Sequence, residues 1–276
     1  KPALPLIEPR EPKMELRLVQ VDAFADRPFT GNPAAVMPLD AWLPDATLQA
    51  IAEENNLSET AFTVPDETGE ADYELRWFTP ATEVVLCGHA TLASGHVLID
   101  GCDEPDRIVF RTRRAGLLEV ACNGDAYAMS LPAWRAEPKP LPHILAALDI
   151  TGAETLWHPN RYGLVVLDDE AAVRALSPDF KALAADGDVL TIVTAPGNDT
   201  DVVSRVFAPG AGIDEDPVTG SAHCVLTPYW TDRLGRDAFT AYQASRRGGH
   251  VDCRLEGDRA ILGGRCVTVI EGVMQL

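Results

Sequence analysis

The segment ELRLVQVDAF, Glu15 to Phe24, alternates apolar and polar positions with a period of two, which predicts a strand. Its even spacing sets Leu16, Leu18 and Gln20 on one face and Val19 and Val21 on the other. Short β-prone runs recur along the chain: TAFTVP ending at Pro65, RWFTP from Arg76, DRIVFRT, LLEVA, and TIVTAP ending at Pro196. Two stretches are of another kind. GHATLASGHVLID from Gly88 is apolar on nearly every side, through Ala90, Leu92, Ala93, Val97, Leu98 and Ile99, the pattern of a helix buried all round. GSAHCVLTPYW from Gly220 has the same character, and Pro228 within it predicts a kink or an early end. LPDATLQAIAEE and SPDFKALAADGD each place a proline in the first helical turn and then an acid that suits the positive helix end. Residues 1–13 hold four prolines and no periodicity, and read as an unstructured leader before Met14 as a start.

Laid on each other, the two halves repeat. Leu43-Pro-Asp matches Ser177-Pro-Asp, Pro65 matches Pro196, and the R-x-F-x-P run from Arg76 matches the one from Arg205. Gly88-His-Ala matches Gly220-Ser-Ala, and RRAGLLEVACNGDAYAM from Arg113 matches RRGGHVDCRLEGDRAIL from Arg246 without a gap. All five matches keep their order, with offsets between 129 and 134, the mark of a duplicated unit. The expected organisation is therefore a domain over residues 14–131 and a second over 132–263, joined near 132–155. The strand-like tail, 264–276, falls outside the second repeat and is free to pack back on the first domain. The fold class is α+β, each unit holding two helices and a curved, barrel-like sheet around a central buried helix. Both central helices start at a glycine, which lets a ligand approach the backbone closely. Helix starts carry partial positive charge and free N–H groups, so two converging starts would hold a small acidic molecule between the domains.

Charge narrows the function. Lys plus Arg minus Asp plus Glu is 23 − 42 = −19, which argues against a nucleic-acid or anionic-membrane surface. No apolar run approaches the roughly 18 residues needed to span a bilayer, and no signal-peptide core is seen, so a cytoplasmic protein is expected. The six cysteines form no C-x-x-C pair and the six histidines no H-E-x-x-H, so no metal site is expected. Gly210-Ala-Gly212 does not complete a dinucleotide fingerprint, no P-loop lysine motif occurs, and no cofactor is expected.

Four ordered motifs carry a family likeness: VDAFADRPFTGNP ending at Pro33, NNLSET over Asn55–Thr60, RWFTPATEVVLCGHATLA over Arg76–Ala93, and DPVTGSA over Asp216–Ala222. From about Glu15 to its end the chain resembles the phenazine-biosynthesis PhzF family. The resemblance implies the diaminopimelate-epimerase fold, with two pseudo-symmetric domains, a cleft between them and usually a homodimer. It implies that the S-E-T glutamate, Glu59, is the acid/base group. The family's type member moves a proton between ring carbons of a hydroxylated dihydroanthranilate without metal or cofactor. Gly88, His89, Asp216, Gly220 and Ser221 fall on positions that line the site in that family. One departure is Cys87: the phenazine enzyme lacks a cysteine there, while epimerase relatives carry a catalytic one. The other epimerase cysteine falls near Asp216, so the thiol pair that racemisation needs is incomplete.

Each of these residues has a plainer reading. Glu59 at the mouth of an apolar strand fits a surface charge, but a carboxyl whose pKa burial raises can accept and return a proton. His89 at the head of a buried helix fits a packing residue, or a donor to a substrate carboxylate, or a support for Glu59. Asp216 in DEDPVTG fits a solvated acid or a helix cap, or the family's site residue; Asp214 and Glu215 read as surface charge. Ser221 fits a cap or a substrate contact, and Asn32 a ligand-orienting amide or a turn former. A thiol at a helix start, as Cys87 is, has its pKa lowered, whereas a buried cysteine is inert. His96 and His223 read as core or rim. The expected activity is a cofactor-independent isomerase moving a proton within a small carboxylated metabolite, with Glu59, His89 and Asp216 catalytic and Asn32, Gly88, Gly220 and Ser221 binding. The alternatives are a Cys87-assisted racemase or epimerase of an amino or hydroxy acid, and a non-catalytic metabolite-binding or interaction protein.

Overall fold

The computed structural model describes residues 14–100 and 106–276; the expected leader at 1–13 lies outside the described residues. Strand Glu15–Ala23 pairs antiparallel with Asn32–Pro38, which runs parallel to Glu59–Pro65. Tyr73–Phe78 follows antiparallel, then Arg107–Thr112 parallel to it, then Leu117–Asn123 and Ala126–Pro132, both antiparallel. The second half runs through the same sequence of directions with Glu154–His158, Tyr162–Val166, Leu190–Pro196, Val202–Phe207, Ala238–Gln243, Gly249–Glu256 and Arg259–Gly264. The gap-free match becomes two hairpins, each turning at a glycine with positive φ, Gly124 at 66° and Gly257 at 61°.

The halves are joined through their last strands, Ala126–Pro132 pairing antiparallel with Arg259–Gly264. After these strands the chain crosses over in both halves. Cys266–Gln275 pairs along Glu15–Ala23, and Glu137–Pro138 pairs with Glu154–His158.

Six α-helices are described. Helix α1 (Asp45–Asn55) lies against Met37, Phe62 and Phe78 through Leu48, Ile51 and Ala52. Helix α2 (Gly88–Asp100) is the central helix of the first half, with Ala90, Leu92, Ala93, Val97, Leu98 and Ile99 buried. The hydroxyls of Thr91 and Ser94 do not break its apolar surroundings, because each donates to a backbone carbonyl four residues back. Helices α3 (Pro142–Ala147), α4 (Glu170–Ala175) and α5 (Phe180–Ala184) cover the outer face of the second half with Ile144, Val173 and Leu183. Helix α6 (Gly220–Leu234) is that half's centre and shares one apolar cluster with α2. Full burial of a side chain such as Leu92, Phe110 or Leu226 contributes roughly 1.5–3 kcal/mol each.

Two expectations need correction. Two helices were expected in the second half, but three short ones and α6 are described there, because its outer face needs more cover than α1 alone gives the first. The join near 132–155 holds Glu137–Pro138 and α3. Pro228 does not stop α6, which runs on to Leu234. A proline four residues on leaves the Cys224 carbonyl without its helical donor, and the Trp134 amide fills that place at 2.8 Å.

Gly31 makes the turn that heads Asn32–Pro38. Its φ is +64°, a side chain there would collide with the Ala23 carbonyl, and its amide donates to Gly248 of the other half at 2.6 Å. Gly31→Ala is therefore expected to cost about 2–4 kcal/mol in urea unfolding. Gly69→Ala, at a similar φ of +78° but with nothing within 4 Å, should cost about 1 kcal/mol. Equal costs at the two sites would contradict the packed turn.

Candidate active site

Local chain geometry delivers Glu59. Asn56 takes a left-handed conformation (φ 49°, ψ 37°) at the end of α1, and its amide returns to the Ala52 carbonyl. Asparagine tolerates that conformation. Three residues later Glu59 opens its strand, its side chain only 13% exposed. Asn32 heads the neighbouring parallel strand and is fully buried.

The two central helices meet at their first residues. A Cβ on Gly88 would lie 3.1 Å from the Gly220 Cα, and a Cβ on Gly220 the same distance from the Gly88 Cα. Only glycine at both positions allows this approach without displacing backbone. The first amides of a helix have no intrahelical acceptor, so two sets of free N–H groups face one place. A cavity of about 470 Å³ opens there, lined by Glu59, Cys87, Gly88 and His89 from the first half and by Tyr162, Asp188, Asp216, Gly220 and Ser221 from the second.

Inside it, His89 Nε2 lies 3.1 Å from Glu59 Oε2, at ion-pair distance without hydrogen-bond alignment. The other ring nitrogen, Nδ1, has Asn32 Nδ2 at 3.2 Å and Cys87 Sγ at 3.5 Å. Asn32 Nδ2 also donates to Asp216 Oδ1 at 2.8 Å and to the Val218 carbonyl at 2.9 Å, tying the halves together. The Thr219 hydroxyl donates to Asp216 Oδ2, and Gln243 donates to the Asp216 carbonyl at 2.7 Å. Every binding and catalytic candidate borders this cavity except Asn32, which stands behind His89 and Asp216.

Electrostatics follow from burial. Desolvation raises the Asp216 carboxyl to about 6, against the opposing pull of His89. Burial disfavours the His89 imidazolium, but Cys87 and the Glu59 carboxylate beside it more than compensate, and the ring stays charged well above its ordinary range. With the thiol neutral, Glu59 is the partner that supports that charge. Burial pushes the Cys87 thiol up to about 11. Of the two readings of Cys87 this favours the buried cysteine over the thiol lowered by a helix start: desolvation outweighs the helix end, although the sulfur accepts the Ala90 amide as a helix cap does. Asp216 is no cap either, since Thr219 holds the N-cap position of α6. Glu215 departs from plain surface charge by pairing with Arg205 at 2.7 Å. His223 is buried against the Thr219 carbonyl and held at about 4 by desolvation. His96 meets Tyr127 and Thr268.

Glu59, Cys87 and His89 present donor atoms within 4.8 Å of one another, types that zinc-class ions accept. Their short contacts fall on opposite edges of the imidazole, Cys87 at Nδ1 and Glu59 at Nε2.

Motif reading missed Tyr162 and Asp188. Tyr162 pairs with Leu190 across its strands as Ala34 pairs with Glu59, so Leu190 stands where the first half has its carboxylate. The Tyr162 hydroxyl bonds Ser221, and desolvation raises it to about 12.

Comparison with known proteins places this arrangement. The phenazine biosynthesis-like protein family, PhzC-PhzF, matches residues 21–272. The chain belongs to that family. An uncharacterized isomerase of Pseudomonas aeruginosa is 50% identical over 95% of this chain and 100% of its own length. A PhzF-family crystal structure from Enterococcus faecalis superposes with a TM-score of 0.89 at 44% identity, covering 95% of this chain and 100% of that one. A hydroxyproline epimerase from Agrobacterium vitis shares the fold, with a TM-score of 0.61 at 13% identity over 95% of this chain and 93% of its own. This PhzF-family chain is an isomerase-type enzyme with the α+β class read from its repeat and the epimerase-like fold implied by the resemblance. No helix among the described residues is long and apolar enough to cross a membrane.

The Asp216 environment has a measurable sign. Its folded pKa of about 6 lies above the ordinary 3.8, so the native state holds the proton longer and loses stability as pH rises between those values. Asp216→Asn is expected to be more stable than wild type by about 1–3 kcal/mol above pH ~6, the difference vanishing below pH ~4. A difference independent of pH, in urea unfolding across that range, would contradict a raised Asp216.

Proposed function

We propose that this enzyme moves a proton between two carbons of a small carboxylated substrate, with Glu59 taking and returning the proton. One observation carries the reading: a largely buried carboxylate, paired with a histidine, borders the cavity where two helix starts converge. A substrate carboxylate resting on the first amides of α2 and α6 is stabilised by their partial charge and fixed in orientation. Glu59, at the cavity edge, then faces a carbon near that carboxylate. The His89 imidazolium supports the Glu59 carboxylate before the proton is taken and after it is returned. Asp216, with a pKa of about 6, is able to hold a proton near neutral pH and to hydrogen-bond a substrate oxygen in either state. Ser221 and Tyr162 offer neutral hydroxyls on the opposite wall. The reading needs no group beyond the chain, and a homodimer in the cytoplasm is its expected setting.

A thiol with a pKa of about 11 is a poor base near neutrality, which sets the Cys87-assisted racemase second. The test is deuterium wash-in from D2O over a panel of carboxylated dihydro-aromatics, amino acids and hydroxy acids. Exchange should fall by about 10²–10⁴ in Glu59→Gln and stay within a few-fold of wild type in Cys87→Ala. Exchange lost in Cys87→Ala and kept in Glu59→Gln would move the reading to thiol chemistry. A wild-type protein that exchanges nothing yet binds panel members would favour the non-catalytic alternative.

A further inference from the structure

Two ion pairs repeat between the halves, and the chemistry above uses neither. Arg76 and Arg205 open the two R-x-F-x-P runs. Arg76 grips Glu83 with two parallel bonds, Nε to Oε1 at 2.8 Å and Nη2 to Oε2 at 2.9 Å. Arg205 grips Glu215 through the same atoms, at 2.7 and 3.1 Å. Each guanidinium lies over the phenylalanine two positions on, 4.9 Å from the Phe78 centroid and 5.0 Å from that of Phe207. The third nitrogen of each reaches the outer helices, Arg76 Nη1 at Asp45 of α1 and Arg205 Nη1 at the Leu176 carbonyl where α4 ends. Phe78 and Phe207 pack in the two outer apolar clusters, so both forks stand on the sheet face turned away from α2 and α6. None of the four charged side chains borders the cavity.

The forks hold the chain that enters the two central helices. Glu83 stands five residues before Gly88, and Glu215 five before Gly220. Arg76 precedes its glutamate by seven residues and Arg205 by ten, yet the step from glutamate to glycine is the same. The residue after each glutamate is tied to the residue after each arginine. Val84 pairs with Trp77, and the Asp216 amide donates to the Val206 carbonyl at 3.0 Å. Val84 and Asp216 both line the cavity. Each fork therefore fixes one wall and the direction in which one helix begins. A bidentate arginine–carboxylate pair sets orientation as well as distance. A buried ion pair adds little net stability over an apolar pair of the same size, so two matched ones point to geometry as their contribution.

We infer that Arg76 and Arg205 are positioning residues of the site, acting through Glu83 and Glu215 to set the helix starts at Gly88 and Gly220, one fork to each half. This rests on the carboxylate-anchoring reading above. The two glycines leave no slack where they touch. A small shift of either entering loop then moves its first amides off the shared anion position.

The test is a propionate titration followed by 1H–15N NMR in Arg76→Lys, Glu83→Gln, Arg205→Lys and Glu215→Gln. Lysine keeps the charge and loses the fork, and glutamine keeps the shape and loses the charge. Glu83 and Glu215 are partly exposed, so their variants serve where a lysine variant fails to fold. Each variant should weaken propionate binding about three- to tenfold. The saturating shifts at Gly220 and Ser221 should shrink in the Arg205 and Glu215 variants alone, and those at Gly88 and His89 in the Arg76 and Glu83 variants alone. A second readout needs no ligand. The Asp216 carboxyl, raised to about 6 by burial, should titrate closer to its ordinary 3.8 in Arg205→Lys, because a loosened loop admits water, and as in wild type in Arg76→Lys. Pairs that only stabilise the fold would lower the unfolding midpoint and leave affinity, amide shifts and the Asp216 titration unchanged, which overturns the inference. Variants in one half that disturb both helix starts alike overturn it too. A wild type that does not bind propionate overturns the carboxylate anchor instead, and the forks then stand or fall with the Asp216 titration.

Discussion

Everything at the centre of this protein depends on two glycines touching. Gly88 and Gly220 bring the first turns of α2 and α6 so close that a methyl group on either would press on the other's backbone. Like-charged helix ends do not approach without compensation. Here the compensation comes from the acids set around them, Glu59 beside His89 and Asp216 directly before α6. The positive field at the helix starts comes from backbone and not from side chains, within a chain of large negative charge.

The scaffold is symmetric and the chemistry is not. Ladder directions repeat strand for strand, and the crossing strands Cys266–Gln275 and Glu137–Pro138 dock on matching first strands. At the cavity the halves part company: Glu59 faces Leu190 across the repeat, and His89 faces Ser221. One half supplies Glu59 and His89 to the cavity, and the other Tyr162, Ser221, Asp188 and the raised Asp216. Asn32 joins them, its single amide nitrogen reaching His89, Asp216 and the Val218 carbonyl. Keeping Asp216 desolvated works against stability, a usual cost of an active site.

Much of this was legible before any coordinates, for physical reasons. A buried helix is apolar on all sides, so α2 and α6 announced themselves, and a duplication with steady offsets leaves the same punctuation twice. Glu59, His89 and Asp216 stood in motifs. What stayed hidden depends on partners distant in sequence. Pro228 is tolerated because Trp134, almost a hundred positions away, supplies a donor to Cys224. Cys87 is raised and not lowered because burial, invisible in a motif, outweighs the helix end. The two-residue strand Glu137–Pro138 is too short to show a period. Helix α4 was within reach: Asp169 caps it by accepting the Ala172 amide, and Glu170 follows in the first turn. Tyr162 and Asp188 belong to no motif and become neighbours of the site only through the fold.

The account stands on the two helix starts acting as one anion site. The direct measurement is a 1H–15N NMR titration of the protein with a small monocarboxylate such as propionate. The amides of Gly88 and His89 and those of Gly220 and Ser221 should shift together, along a single binding curve. Shifts at one helix alone, or two separate curves, would contradict a shared site and with it the placement of substrate between the halves.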